Sequence, residues 1–122
     1  MKAALTLPKA LNLIGGAWRP AASGREMAVI SPIDGAPFAA IAESGPEDVD
    51  AAIAAARAAL AGEWGHLTAA ERGRLMLRLA LRLEAEAEAL ARLETRDNGK
   101  PIAQSRADMA ALARYFEYYG GA

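Results

Sequence analysis

Leu93-Glu94-Thr95-Arg96-Asp97-Asn98-Gly99-Lys100-Pro101 closes one long amphipathic helix and opens another. Asn98-Gly99 supplies a left-handed stop, and Pro101 cannot extend the old helix but can begin a new one. Upstream, Thr68-Ala69-Ala70-Glu71 reads as a capping box, so the helix runs from Thr68 to that stop. One side of it carries Leu75, Leu79, Leu83, Ala87, Leu90 and Leu93. Arg72, Arg78, Arg82, Glu86 and Glu88 supply most of the polar remainder. Beyond Pro101 the spacing of Met109, Leu112, Phe116 and Tyr119 turns one face of a further helix towards a core.

Working back towards the amino terminus, Ser44 and Glu47 form another capping box, with Pro46 tolerated in the first turn. Val49, Ile53, Ala56 and Leu60 share a stripe of that helix, which ends at Gly62. From Leu11 to Glu43 the period changes to two. Leu11-Asn12-Leu13-Ile14 alternates, Gly15-Gly16 permits positive φ at both hairpin positions, and Ala17-Trp18-Arg19 returns. Met27-Ala28-Val29-Ile30 and Phe38-Ala39-Ala40-Ile41 read as two more strands around a turn at Pro32-Ile33-Asp34-Gly35. Residues 1–10 read as a flexible arm. Strands come first and helices follow without return, so no parallel sheet is built from alternating units. The expectation is an α+β segment, mainly helical, with short strands over 11–43 and three helices over 44–122. It is incomplete as a domain, and its leucine stripe needs another surface.

The 122 residues are enough for one domain or part of one. A net charge of −1, from 14 basic and 15 acidic residues, gives no field to collect nucleic acid or an anionic membrane. No apolar run approaches the roughly 18–20 residues of a membrane span. Met1-Lys2-Ala3-Ala4-Leu5-Thr6-Leu7-Pro8-Lys9 is too short in apolar residues for an export signal, so cytoplasm is the expected location. The absence of cysteine excludes disulfides, thiolate metal sites and cysteine acylation within these residues.

Other candidates weigh little. His66 lies between two helices without an identifiable serine or acid partner, and such a histidine is more often solvated or capping than a base. No G-x-G-x-x-G follows a strand, and no phosphate loop is visible. Glu84, Glu86 and Glu88 read as a solvated face. Tyr115-Phe116-Glu117-Tyr118-Tyr119 reads as core packing with exposed tyrosine edges rather than a base-stacking platform, which needs a positive groove. Trp18 and Trp64 read as anchors. Asp97 is odd on physical grounds, because a carboxylate in the last turn meets the negative end of the helix dipole at a cost of about 0.3–1 kcal/mol. Arg96 or another arginine, backbone N–H groups, or a bound cation would offset that.

Taken in order, Ile14-Gly15-Gly16-Ala17-Trp18, Val29 to Gly35, Glu47 to Arg57, Glu71-Arg72-Gly73-Arg74-Leu75, Asp97 to Pro101 and Arg114 to Gly120 resemble the amino-terminal part of aldehyde dehydrogenases. Ser31 stands where asparagine is more usual in that family. The resemblance implies a segment that wraps the outside of a Rossmann-type dinucleotide-binding domain. It also implies an NAD(P)-dependent oxidation of an aldehyde to a carboxylic acid, through a cysteine thiohemiacetal and thioester. The nucleophile, the general base and the NAD or NADP contacts of the family have no matching position here. No catalytic or cofactor-binding residue is therefore expected in this chain, and no activity from it alone. A structural cation of the family would place ligands at Val29, Ile30 and Asp97. The expected partners are the remainder of an aldehyde dehydrogenase chain or another subunit, in a homo-oligomer, with neither nucleic acid nor membrane. The alternative is a stand-alone interaction or oligomerisation module derived from that family.

Overall fold

The computed structural model describes residues 10–122, so all but Ala10 of the arm expected at residues 1–10 lies outside the described residues. The chain divides into two compact units. One contains the described residues 10–30 and 36–66, and the other residues 31–35 and 67–122. Among the described residues, no helix is long and apolar enough to cross a membrane.

The first unit holds two antiparallel hairpins and a helix. β1 (Asn12–Ile14) pairs with β2 (Ala17–Arg19) in the register Leu13 opposite Trp18. Gly15 and Gly16 take φ of 60° and 77°, the double left-handed turn that the sequence requires. β3 (Glu26–Ile30) pairs with β4 (Pro37–Ala42), and the register shifts between Val29 and Ile30. A bulge of this kind leaves a residue out of the ladder and twists the strand. Arg25 and Glu43 close the open end of the hairpin through a backbone bond of 3.0 Å and an ion pair of 3.1 Å.

The helix that follows, α1 (Pro46–Ala61), is capped one residue later than the Ser44–Glu47 box predicts. Pro46 occupies the first helical position, where its missing N–H costs nothing, and this makes Gly45 the cap and Asp48 the third residue. The Asp48 carboxylate accepts from Gly45 N at 3.0 Å, while the Ser44 hydroxyl donates instead to Asn12 Oδ1 at 2.9 Å. Another correction concerns the stripe: Val49, Ile53, Ala56 and Leu60 are all exposed, and Asp48 is the buried residue of the helix. A single turn, α2 (Glu63–His66), takes the place of the loop expected there. Trp18 and Trp64 are 59% and 45% exposed, so neither acts as a buried anchor.

In the second unit α3 (Ala69–Asn98) and α4 (Ile102–Gly121) pack against each other as an antiparallel pair. The Thr68–Glu71 box is present as read, with Thr68 N donating to Glu71 Oε2 at 2.8 Å and Glu71 N to Thr68 Oγ1 at 3.3 Å. The packing line differs from the leucine stripe of the sequence reading. Buried positions are Gly73, Ala80 and Ala91 on α3 and Ser105 and Ala113 on α4, while Leu75, Leu83, Leu90 and Leu93 are half-buried and Leu79 is exposed. Small residues on the contact line let two backbones approach, and leucines then close over the sides. At Gly73 an added Cβ would stand 2.3 Å from the carbonyl oxygen of Gly120, so the crossing is backbone against backbone. Met109, Leu112 and Phe116 are half-buried as expected, but Tyr119 is exposed and meets Tyr118 edge to face at 5.1 Å.

Candidate functional site

The turn between α3 and α4 is built from several local devices. Gly99 sits at φ 78°, and its N–H donates to Thr95 O at 2.9 Å, the left-handed closure expected from Asn98-Gly99. A Cβ at Gly99 would also stand 3.0 Å from Cγ of Pro32, so the turn at 31–35 packs directly on the helix stop. Asn98 Oδ1 accepts from Lys100 N at 3.0 Å. Lys100 Nζ then joins two helices, donating to Asp108 Oδ2 at 2.6 Å and pairing with Glu94 Oε1 at 2.5 Å. Gln104 Nε2 takes the other oxygen of Asp108 at 2.9 Å. The hydrogen bond from Lys100, then that from Gln104, holds Asp108 below the usual carboxylate range, and Asp108 and Glu94 push Lys100 up. Beneath the turn the hydroxyls of Thr95 and the fully buried Ser105 lie 2.8 Å apart.

Glu88 departs from the solvated role expected of it. Arg106 clasps it with Nε and Nη2, each at 2.9 Å, and Arg92 adds Nε at 2.7 Å. Chiefly through the Arg106 bond, and then the Arg92 bond, its pKa falls from 4.5 to about 2. A carboxylate whose folded pKa is depressed stabilises the fold above its unfolded value and loses that contribution as pH falls through the folded one. Stability of the helical unit should therefore decline between pH 4.5 and about 2 as Glu88 protonates. Urea midpoints across that range check it. Glu88→Gln should flatten the decline, and an unchanged slope would rule the clasp out as its source.

Val29 and Ile30 lie on β3 opposite the bulge, whose extra residue is Phe38 of β4, and are half-buried and exposed respectively. Asp97 lies exposed in the last turn of α3 and enters none of the ion pairs of that unit. Neither Arg96 nor another arginine forms an ion pair with it among the described residues. Lys100, rather than Asp97, carries the ionic link of the junction. Among the described residues no three His, Cys, Asp or Glu side chains form a group that could hold a metal ion. His66 is exposed on α2. Asp48, which the sequence reading passed over, is 6% exposed and bridges two segments, accepting from Ala22 N at 2.9 Å as well as from Gly45 N.

Comparison with known proteins places these local devices in a family. The model of the aldehyde dehydrogenase family matches residues 18–122. Acetaldehyde dehydrogenase 2 of Cupriavidus necator is 42% identical over 111 residues, which cover 90% of this chain and 22% of that one. Betaine aldehyde dehydrogenase of Bacillus subtilis is 40% identical over 109 residues, 88% of this chain and 22% of its own. Among solved structures, betaine aldehyde dehydrogenase of Staphylococcus aureus in complex with NAD+ superposes with a TM-score of 0.88 at 36% identity, covering 93% of this chain and 23% of that chain. The chain thus spans about a fifth of the length of the curated relatives it matches, in their amino-terminal part. With the family model matching from Trp18 to the last residue, and a superposition that includes the helix pair and its stop, the chain belongs to the aldehyde dehydrogenase family.

Proposed function

We propose that these residues serve as the amino-terminal structural part of an NAD(P)-dependent aldehyde dehydrogenase and have no turnover of their own. In the complete enzyme the aldehyde is oxidised to a carboxylic acid through a cysteine thiohemiacetal and thioester. NAD or NADP accepts the hydride there. The observation that carries this reading is the ordered family match together with a sequence of 122 residues that contains no cysteine. The residues at hand do not fit a dinucleotide site. The described strands form two separate antiparallel pairs. The turn from β4 into α1 has a single glycine, and the Asp48 carboxylate already fills the helix end where a pyrophosphate would dock. The expected result is no reduction of NAD or NADP by the purified chain with acetaldehyde or betaine aldehyde. Turnover by homogeneous protein that survives His66→Ala would overturn the reading.

A second reading, an interaction or oligomerisation module, draws on exposed apolar side chains. Leu77, Leu81, Tyr115 and Tyr118 are 41–71% exposed in the helical unit, and surface of this kind marks interfaces when contiguous. Its partner would be the rest of a longer chain or another subunit. A monodisperse monomer in sedimentation, with a sharp melt and no binding of a hydrophobic dye, would count against it.

Val29, Ile30 and Asp97 are proposed as candidate ligands of a structural cation in the longer protein. The family match, which includes all three residues, and the exposure of Asp97 outside the ion pairs of its unit support that reading. One carboxylate with carbonyl oxygens is a partial set for a hard cation, which takes roughly six to eight oxygens. Asp97→Ala is accordingly expected to change the stability of this chain by less than about 0.5 kcal/mol without added metal. It should also abolish whatever stabilisation Na+ or Mg2+ confers. A cation effect that survives the substitution would remove Asp97 from the ligand set.

A further inference from the structure

We propose that the groove of the helical unit lined by Arg92, Arg96 and Arg106 binds a phosphate dianion, either inorganic phosphate or a phosphate monoester. The groove has a volume of about 570 Å³, and its walls come from α3, α4 and the turn at 31–35. Its lining otherwise consists of Ser31, Ile33, Asp34, Thr95 and Ile102. Three arginines thus line one opening. Guanidinium forks match phosphate oxygens in geometry and stay charged at any relevant pH.

Two of the three arginines are fixed in advance. Glu88 takes Nε and Nη2 of Arg106 at 2.9 Å each, and Nε and Nη2 of Arg92 at 2.7 Å each. The Nη1 groups take no part in that clasp. An incoming anion would therefore meet side chains already held, and would not have to order them. The charge count favours it as well. Three guanidinium groups face one acidic lining residue, Asp34, with Glu88 as the counter-ion of the clasp, leaving an excess of one positive charge. Asp34 and Arg96 each also carry a contact of their own. The lining hydroxyls are turned away from the opening's solvent: Ser31 is buried, with its Oγ accepting from Ile33 N at 3.3 Å, and Thr95 pairs with the buried Ser105. Recognition thus rests on the guanidinium groups. A singly charged planar carboxylate would use one fork only, whereas a tetrahedral dianion can engage all three.

The test is a titration of the chain with inorganic phosphate and, separately, with glycerol phosphate, at ionic strength held constant with chloride. Arginine Nε–H and backbone amide signals of residues 92–106 are followed by nuclear magnetic resonance. The expected result is a saturable shift in the millimolar range for one or both anions, and the ratio of the two affinities tells free ion from monoester. Arg96→Gln, which leaves the Glu88 clasp intact, should weaken binding about tenfold. Asp34→Asn, which removes the acidic wall, should tighten it. A shift that does not saturate, or that chloride reproduces, would overturn the proposal. So would an affinity unchanged in both variants.

Discussion

Asp48→Ala is expected to destabilise the strand-bearing unit by about 2–4 kcal/mol, because one buried carboxylate satisfies two backbone donors. Oδ1 accepts from Ala22 N at 2.9 Å and Oδ2 from Gly45 N at 3.0 Å. Hydrogen bonds to a charged group contribute about 1.5–3 kcal/mol each, and truncation leaves both N–H groups without a partner in a part-buried site. Helix α1 loses its cap in the same step, and the loop at Ala22 loses its tether. Asp48→Asn keeps one acceptor and turns an N–H donor towards the other amide, so it should recover less than half. Glu47, which the Ser44–Glu47 box would have implicated, is exposed, and Glu47→Ala should change stability by less than about 0.5 kcal/mol. Urea midpoints of the three variants, with hydrogen exchange at the Ala22 and Gly45 amides, decide the matter. Equal effects of Asp48→Ala and Glu47→Ala would show that the cap does not hold the unit.

Gly73→Ala is expected to cost about 1–3 kcal/mol in the helical unit, despite a helix propensity that favours alanine by about 1 kcal/mol. The added methyl carbon would lie 2.3 Å from the Gly120 carbonyl oxygen, and backbone cannot swing aside as a flexible side chain can. Relief requires α3 and α4 to separate, which loosens the contacts around Met76 and Leu77 at the same crossing. Gly120→Ala provides the contrast. Its Cβ would meet Gly73 O and Met76 Cβ at 3.1 Å, a crowding that shifts of a few tenths of an ångström relieve. The propensity gain then offsets most of the cost, and the variant should lie within about 1 kcal/mol of the parent. Thermal melts of both variants test the asymmetry. A Gly73→Ala protein as stable as the parent would mean that the helices cross with room to spare.

The features that local sequence determined are those whose physics is local. Gly15-Gly16 required positive φ at two successive residues, and the hairpin has it. Thr68 and Glu71 satisfy each other's backbone N–H groups within one turn. Gly99 ends one helix in the left-handed conformation and Pro101 caps the next, both by local φ preference, and the family pattern was legible in the same stretch. Where two local signals competed, the reading slipped by one residue: Pro46 fixed the first helical position and moved the cap from Ser44 to Gly45.

Tertiary structure decided what depends on residues far apart in the chain. Periodicity marked the leucines of α3 as an apolar side. It could not say that Gly73, Ala80 and Ala91 would form the contact line, because that follows from how closely a second backbone approaches. Glu88 looked solvated until Arg106, eighteen residues on, closed around it. Asp97 stands exposed at the helix end, and it is Lys100 that ties the helices together through Glu94 and Asp108. Spacing along a chain fixes which side chains share a helix face. Only packing fixes which of them lose water and which charges meet, since burial and long-range ion pairs are set by the partner surface.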